Sequence, residues 1–188
     1  ISMNKIILTG LSPIEICEEL QLKEKFRGKQ IFKWVGSGVT SFDQMTNLSK
    51  SLREELSQKA CLRTSIVSNV LKDPYGTIKL QITLNDGNAV ETVLLTDKEN
   101  RKTACVSCQA GCAMKCAFCQ TGTLGLSRNL TAAEIVEQFL FLEEYAGPLD
   151  NIVFMGMGEP MQNLAGIRKA IEILCHADGR ALSKKRIT

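Results

Sequence analysis

The 188-residue sequence lacks any apolar run that approaches the roughly 20 residues needed to cross a bilayer. It also lacks a secretion signal, because Ser12 and Glu15 interrupt the short apolar stretch near its start. Internal repeats and low-complexity segments are absent as well. The formal net charge is only +3, which permits a nucleic-acid partner but does not predict one. These absences predict a cytoplasmic globular protein with no membrane partner.

Cysteine is abundant, and its placement matters more than its number. Five of the eight cysteines fall within fifteen positions. A secreted domain stapled by disulfides distributes its cysteines along the chain, so a local cluster indicates metal or redox chemistry. The clustered residues are Cys105, Cys108, Cys112, Cys116 and Cys119. The other three, Cys17, Cys61 and Cys175, lie in apolar helical patterns, and we expect them to be buried.

Residues 1–62 have the pattern of a small helical domain. Ser12 with Glu15 three residues later predicts a capped helix, and apolar spacing predicts further helices over residues 30–35 and 49–60. Four cations surround Phe32 and Trp34 near the second helix, and they are Lys25, Arg27, Lys29 and Lys33. Taken alone, such a basic face is a solvated surface.

Residues 63–100 have the pattern of a β-hairpin module. Polar and apolar residues alternate over residues 77–84, and a return strand covers Ala89–Thr96. In the return strand, Glu91 shares a face with apolar neighbours. Such a carboxylate lies either at a sheet edge or in a pocket that shifts its pKa, and the spacing alone favours the edge.

Residues 101–188 alternate between strand and helix patterns and predict an α/β fold. The predicted elements are strands at 103–107, 151–155 and 185–188 and helices that begin near Thr131 and Leu164. Two and a half strand–helix units cannot close a barrel. We therefore expect a truncated (β/α) barrel preceded by the helical domain and the hairpin module.

The strongest chemical motif is the C-x3-C-x2-C spacing of Cys112, Cys116 and Cys119. It follows the first strand of the β/α array, where such folds place active sites. Three thiolates can ligate three irons of a four-iron cluster, and the fourth iron can then bind S-adenosylmethionine and reduce it. A zinc site that adds Cys105 and Cys108 is one alternative, and a ferredoxin-type carrier with a fourth thiolate is another. The spacing and the β/α context favour the radical chemistry.

A second motif, Gly156-Met-Gly-Glu159-Pro160, follows the second predicted strand. Glycines allow a ligand to approach the backbone closely, and a carboxylate at a strand end can bind an ammonium group. Alone, this pattern is weak. Because it comes one strand after the cysteine loop, it predicts the seat of the methionine end of S-adenosylmethionine.

In combination, these motifs resemble those of the RlmN/Cfr radical methyltransferases. The likeness covers nearly the whole chain and about the first half of a family member. The motifs that carry it are Cys105-Val-Ser-Cys-Gln-Ala-Gly-Cys112 and its continuation to Cys119, Arg128-Asn-Leu130, Met155-Gly-Met-Gly-Glu159-Pro160, Leu182-Ser-Lys-Lys-Arg186 and Val90-Glu-Thr92.

The resemblance implies methylation at C2 of an adenosine in 23S ribosomal RNA and, in the RlmN branch, in certain transfer RNAs. The Cfr branch acts at C8, and the sequence does not distinguish the two. The resemblance also implies a [4Fe-4S] cluster on Cys112, Cys116 and Cys119 and S-adenosylmethionine in contact with Gly158 and Glu159. It further implies that a flavodoxin or a ferredoxin donates the electrons and that the helical domain docks RNA. We expect the protein to be a monomer.

In this family, a methyl group first moves to a cysteine near the C-terminus, and a radical then abstracts a hydrogen atom from it. The resulting carbon radical adds to the adenine, and a second cysteine resolves the thioether cross-link by forming a disulfide. Cys105 occupies the resolving position, and Cys108 stands where the RlmN pattern has a serine. Glu91 matches the proton acceptor, which favours the pocket over the edge. The methyl-carrying cysteine is expected beyond Thr188, so we expect this chain alone to be inactive.

Two other functions remain alternatives. One is a different radical S-adenosylmethionine enzyme, such as a glycyl-radical activase, which has no need for Cys105 and Glu91 beside the cluster. The other is a zinc-bound RNA-binding module. Iron, sulfide and zinc analysis separates the latter from a cluster enzyme.

Overall fold

The computed structural model describes residues 5–188, so residues 1–4 of the predicted helical domain lie outside it. Within the described part, no helix is both long and apolar enough to cross a membrane. The helical region contains β1 (Ile6–Ile7), α1 (Pro13–Glu19), α2 (Lys25–Gly36), α3 (Lys50–Lys59) and β2 (Ala60–Cys61). The two short strands pair in parallel. The elements that follow are β3 (Ile66–Lys72), β4 (Ile78–Thr83), β5 (Ala89–Thr96), β6 (Lys102–Cys105), β7 (Gln109–Gly111), α4 (Gln120–Thr123), β8 (Leu126–Asn129), α5 (Ala132–Ala146), β9 (Asn151–Val153) and α6 (Leu164–Cys175).

The helical region follows the predicted caps, and the largest difference lies in α2. Ser12 and Glu15 form the capping box of α1, and Ser49 caps α3. The expected start of α2 at residue 30 is wrong, because the helix already begins at Lys25. Gly28 lies within it at the crossing with α1, where a Cβ would come within 2.3 Å of the Cys17 sulfur. The helix therefore needs a glycine at this close contact.

The three scattered cysteines are less enclosed than expected. Cys17, Cys61 and Cys175 are all partly exposed. Burial nevertheless raises the pKa of the Cys61 and Cys175 thiols. The expectation that all three are buried core residues is therefore wrong.

The central sheet has the strand order β3-β4-β5-β6-β9. The first four strands are antiparallel neighbours, and β6 pairs in parallel with β9. The alternation predicted for β4 is confirmed, because Ile78, Leu80 and Ile82 are buried. Beside β9, Ile187 forms a single parallel bridge with Ile152. The strand predicted over residues 185–188 is otherwise not formed, because Lys184–Arg186 make a 3-10 turn.

The two faces of this sheet have different surroundings. On one face, Leu94, Ala104 and Ile152 are paired across three strands and buried, and α5 packs against β5 and β6. On the other face, Cys105 lies between Val93 and Val153 in the same register, and all three are partly exposed. The helices thus cover one face and leave the other open.

The mixed α/β class is confirmed, whereas the partial barrel stays a prediction. The boundary expected at residue 100 falls in the turn between β5 and β6, where the Asp97 backbone N–H donates to the Arg101 carbonyl oxygen. Since β5 and β6 pair in one sheet, the hairpin and the β/α part share hydrogen bonds. The division at residues 62 and 100 likewise stays a prediction.

A buried carboxylate connects the helical region to α5. Glu137 accepts hydrogen bonds from the backbone N–H groups of Thr64 and Ser65 and from the Thr9 hydroxyl. Burial raises the pKa of Glu137, although these donors favour its charged form. The segment before β3 is therefore fixed to the β/α part through one side chain.

Candidate functional site

The three predicted iron ligands lie on one loop, residues 112–125, which we call the cluster loop. It is closed at its base by the antiparallel pair β7 and β8, and the Cys112 backbone N–H donates to the Gly125 carbonyl oxygen at 2.9 Å. Within the loop, the Cys119 N–H donates to the Cys116 carbonyl oxygen at 3.0 Å. The backbone thus holds the predicted ligands on the loop that connects β7 to β8.

The three thiols differ in exposure, from buried Cys112 through Cys119 to exposed Cys116. Among residues 5–188, no three His, Cys, Asp or Glu side chains converge on a position for a single metal ion. A four-iron cluster takes each thiolate on a different iron, and three cysteines on one loop are a donor set that such a cluster can use.

The segment before the loop, residues 105–109, is densely hydrogen-bonded and buried from residue 106 onwards, and we call it the base segment. The Ser107 hydroxyl donates to the Glu91 carbonyl oxygen at 2.6 Å and accepts from the Met157 N–H at 2.8 Å. Gln138 on α5 bonds the backbone of Ser107 on both sides, through its amide oxygen and its amide nitrogen. Asn163 donates to the Cys108 carbonyl oxygen at 2.7 Å. The base segment is thus held by β5, α5 and the loop after β9.

Cys105 and Cys108 have different environments, although they are three residues apart. Cys105 lies on the open face of the sheet, and partial burial raises the pKa of its thiol. Cys108 is 2% exposed and belongs to the hydrophobic core. Burial, followed by the nearby charge of Glu159, raises the pKa of Cys108 to about 11. The Cys108 thiol is therefore protonated near neutral pH.

The predicted S-adenosylmethionine residues lie on the loop that follows β9. Gly158 has a φ of +103°, and a Cβ there would lie 2.6 Å from the Cβ of Gln109. A glycine is thus required both by the backbone conformation and by close packing on the base segment. The Glu159 carboxylate accepts from the Met161 N–H at 3.1 Å. This bond fixes an anionic group beside the base of the cluster loop.

Glu91 lies two residues before Val93 on β5, so its side chain is on the open face with Cys105. Although β5 lies between β4 and β6, its pairing with β6 begins at Val93, so Glu91 is paired across the sheet only with Gln81 of β4. Within residues 5–188, its carboxylate is 50% exposed and pairs with Lys79 at 3.0 Å. The described residues therefore place Glu91 on an open surface rather than in a formed pocket.

Arg128 on β8 connects the base of the cluster loop to two other elements. Its guanidinium forms two hydrogen bonds with the Glu134 carboxylate, at 2.9 and 2.7 Å, and another with Asp86. Glu134 is also the N3 residue of the capping box of α5, and Asp86 lies in the turn between β4 and β5. The Arg128 guanidinium holds the pKa of Asp86 well below its usual range. The hairpin turn, the cluster loop and α5 are thus joined by ion pairs.

The motif analysis missed the buried polar residues that position this site. Ser107 and Gln109 lie between the cysteines of the motif, and Gln138 lies on the largely apolar buried part of α5, next to Glu137. A polar residue inside an apolar helical stripe was the available indication, since a buried amide needs partners. Its partners become visible only in the fold.

The predicted basic surface on α2 is partly neutralised. Arg27 pairs with Glu24, and Lys29 pairs with Asp178 at 3.0 Å. The Trp34 indole N–H donates to Asn47 at 2.7 Å. A cleft of about 590 Å³ lies between α2 and the loop after α6, and its lining includes Lys29, Lys33, Trp34, Asn47 and Asp178. Phe32 is buried and contributes to the core instead.

Comparison with known families gives two matches along the chain. Residues 15–62 match the family model described as the ribosomal RNA large subunit methyltransferase N-terminal domain. Residues 106–188 match the radical SAM superfamily. The first match covers the helical region, and the second begins within the base segment.

Curated relatives match nearly the whole chain. A probable dual-specificity RNA methyltransferase RlmN of Treponema denticola is 62% identical over 184 residues, which is 98% of this chain and 53% of that protein. Its counterpart in Treponema pallidum strain Nichols is 55% identical over 181 residues, or 96% of this chain and 53% of that protein. The chain therefore spans about half the length of the curated relatives it matches.

A solved structure has the same fold. It is a crystal structure of a radical SAM methyltransferase from Sphaerobacter thermophilus, with a TM-score of 0.89 and 38% identity. The match covers 97% of this chain and 55% of that one. Together the matches favour a methyltransferase over a glycyl-radical activase or a zinc-bound module.

Proposed function

The chain belongs to the RlmN family of radical S-adenosylmethionine proteins, and on that premise we propose that the full-length protein methylates C2 of an adenosine in 23S ribosomal RNA and in transfer RNA. A [4Fe-4S] cluster and S-adenosylmethionine, the cofactors of this family, supply the methyl group and the radical chemistry when bound. Cys112, Cys116 and Cys119 hold the cluster. Gly158 and Glu159 bind the amino-acid end of S-adenosylmethionine.

The reaction at the adenine carbon takes place on the open face of the central sheet. Glu91 and Cys105 share that face beside the base segment, from which the cluster loop starts. The spacing of diagonal neighbours in a sheet, about 7–8 Å, allows both side chains to reach one adenine. This shared face is the observation that carries the proposal. Glu91 acts as the base that takes the proton from the modified carbon.

Cys105 is assigned to the release of the product. Its thiolate attacks the sulfur of the methyl-carrying cysteine, so an S–S bond forms and the C–S bond to the nucleotide breaks. The carbon leaves with the electron pair and takes up a proton, which makes the new methyl group. The two sulfurs are thereby oxidised to a disulfide. Cys108 is excluded from this role by its place in the core.

Three further assignments complete the proposal. RNA docks on the basic surface of α2, where Lys25 and Lys33 are exposed. Electrons come from a flavodoxin or a ferredoxin. The protein works as a monomer.

A pair of matched variants tests the role of Cys105 in the full-length holoprotein. We expect Cys105→Ala to accumulate a covalent protein–RNA cross-link, because nothing then resolves the thioether. Cys108→Ala, three residues away, should release product normally. Mass spectrometry of the RNA-bound protein detects the cross-link. Normal product from Cys105→Ala with no cross-link would remove this cysteine from the mechanism.

The position of methylation is tested on RNA that lacks the modification. We expect 2-methyladenosine in both a 23S ribosomal RNA fragment and a transfer RNA after incubation with the reduced holoprotein. Nucleoside analysis by mass spectrometry against synthetic standards separates 2-methyladenosine from 8-methyladenosine. Formation of 8-methyladenosine would contradict the C2 assignment, and modification of one RNA alone would contradict the dual substrate.

A further inference from the structure

Gln109 is the fully buried residue at which the base segment meets the loop after β9. Its amide oxygen accepts from the Glu159 backbone N–H at 2.8 Å. Its amide nitrogen donates to the Asn129 side-chain oxygen at 2.7 Å, and the Asn129 amide nitrogen donates to the Gln162 carbonyl oxygen at 3.0 Å. We call Gln109 and Asn129 the amide relay. It joins β7 and β8, which carry the cluster loop, to both ends of the turn that starts at Glu159.

Close packing leaves the Gln109 side chain little freedom to move. A Cβ at Gly158 would lie 2.6 Å from the Cβ and 2.7 Å from the Cγ of Gln109, so the loop after β9 rests directly on this side chain. Both polar groups of the buried amide are satisfied, which is the condition for a buried amide to stabilise one arrangement. The relay therefore fixes the distance between Glu159 and the cluster loop.

We propose that Gln109 is a positioning residue that sets Glu159 relative to the cluster loop and so determines the affinity for the amino-acid end of S-adenosylmethionine. This inference rests on the proposed function, in which that end binds both the cluster and Glu159. A ligand held at two points binds best when the two points are already at the correct separation. The hydrogen bond to the Glu159 N–H supplies that separation before the ligand arrives.

Gln109→Met tests the proposal, because methionine has a similar shape but cannot replace the two hydrogen bonds. In the full-length holoprotein, we expect the dissociation constant for S-adenosylmethionine to rise about two- to tenfold, which corresponds to the loss of the one bond that holds Glu159. Iron content should stay unchanged. In the cofactor-free protein, hydrogen–deuterium exchange at the Glu159 amide should become faster, since its acceptor is gone.

Two comparison variants separate positioning from general destabilisation. Glu137→Gln changes an equally buried residue whose partners are Thr9, Thr64 and Ser65, and it should lower stability without changing the affinity for S-adenosylmethionine. In the double variant Gln109→Met with Asn129→Ala, the second change should add little, because the two residues act as one unit. An affinity loss in Glu137→Gln equal to that in Gln109→Met would overturn the proposal.

Glu159→Gln separates failure of this inference from failure of the proposed function. If Glu159→Gln leaves the affinity for S-adenosylmethionine unchanged, the assignment of Glu159 to this ligand is wrong. Gln109 then cannot act on the affinity through Glu159. If Glu159→Gln weakens binding but Gln109→Met does not, only the positioning role of Gln109 is wrong. Weaker binding in both, with faster exchange at the Glu159 amide, supports the inference.

Discussion

The cluster loop and the base segment are adjacent in sequence and opposite in environment. In the loop, Phe118 is 94% exposed and Leu124 is 67% exposed. In the base segment, Ser107 and Gln109 are fully buried, and their side chains bond to neighbouring elements. The loop carries the three proposed cluster ligands, whereas the buried residues 106–109 of the base segment carry contacts that hold the loop in place. Chemistry and positioning are thus divided between two stretches of fewer than fifteen residues each.

This division explains why spacing alone is enough to predict the cluster ligands. A ligand motif depends on residue type and on distance along the chain, and both are visible in the sequence. The residues that position the motif work through partners far away in sequence, such as Gln138 and Asn163. Such partners are set by the fold and not by any local pattern.

The largest expected effect tests whether the loop alone supplies the metal ligands. Cys116→Ala should abolish the iron chromophore of the anaerobically reconstituted protein, because a cluster with three protein ligands does not tolerate the loss of one thiolate. Cys108→Ala should retain it, since this thiol belongs to the core. Iron and sulfide analysis measures both variants. If Cys108→Ala loses metal as completely as Cys116→Ala, the contrast between loop and base segment fails, and a zinc site becomes the better explanation.

The next effect concerns Glu91, which is exposed like the loop but lies on the sheet. Glu91→Gln should slow product formation about 100- to 10,000-fold, because the amide cannot accept the proton. Iron content should be unaffected. Lys79→Met is the control, since it removes the partner of Glu91 at 3.0 Å without removing the base. Single-turnover rates with RNA decide between them, and equal rates for Glu91→Gln and the unaltered protein would make this carboxylate an ordinary surface residue.

The prediction from sequence succeeded for Glu91 in one respect and not in another. Alternation correctly predicted the strand and the residues that share a face with Glu91. It did not predict which face the helices cover, because that depends on the packing of α5, more than 40 residues later. The described residues leave the Glu91 side chain half exposed. The pocket interpretation stays a prediction for the full-length protein.

The helical region shows the same limit. The capped helix predicted at Ser12 from local sequence is confirmed, since a cap uses residues three positions apart. The first turns of α2 were missed, because its exposed cations and Gly28 give no apolar periodicity. Gly28 is explained by the contact with α1. That contact is tertiary and has no local pattern.

A smaller effect compares two glycines of the hairpin that closes the loop. Gly111 in β7 has a φ of +79°, and a Cβ there would lie 1.9 Å from the Gly125 carbonyl oxygen. Gly125 has a φ of +72° but open space around it. Gly111→Ala should cost about 2–5 kcal/mol from strain and overpacking, and Gly125→Ala about 1–2 kcal/mol from strain alone. Urea unfolding measures both, and equal losses would show that the base is no more constrained than the loop.

The smallest expected effect concerns the basic surface of α2. There we expect exposed lysines to bind RNA through their charge, without the buried hydrogen bonds that hold the base segment. Changing Lys29 and Lys33 together to Glu should weaken RNA binding several-fold at low salt. The slope of log K against log salt concentration should become shallower by about one to two units, because fewer counterions are released from phosphate. Loss of the Lys29–Asp178 pair should matter little for stability, since Lys29 is exposed and Asp178 partly so, and solvent screens the pair. The matched control changes Lys50 and Lys59 on α3 to Glu, with the same change in net charge. Binding titrations from low to moderate salt measure the slope. An equal slope change in both pairs would mean that net charge alone attracts the RNA, and an unaltered slope in the Lys29 and Lys33 variant would move the docking surface towards Lys115 and the basic residues 184–186.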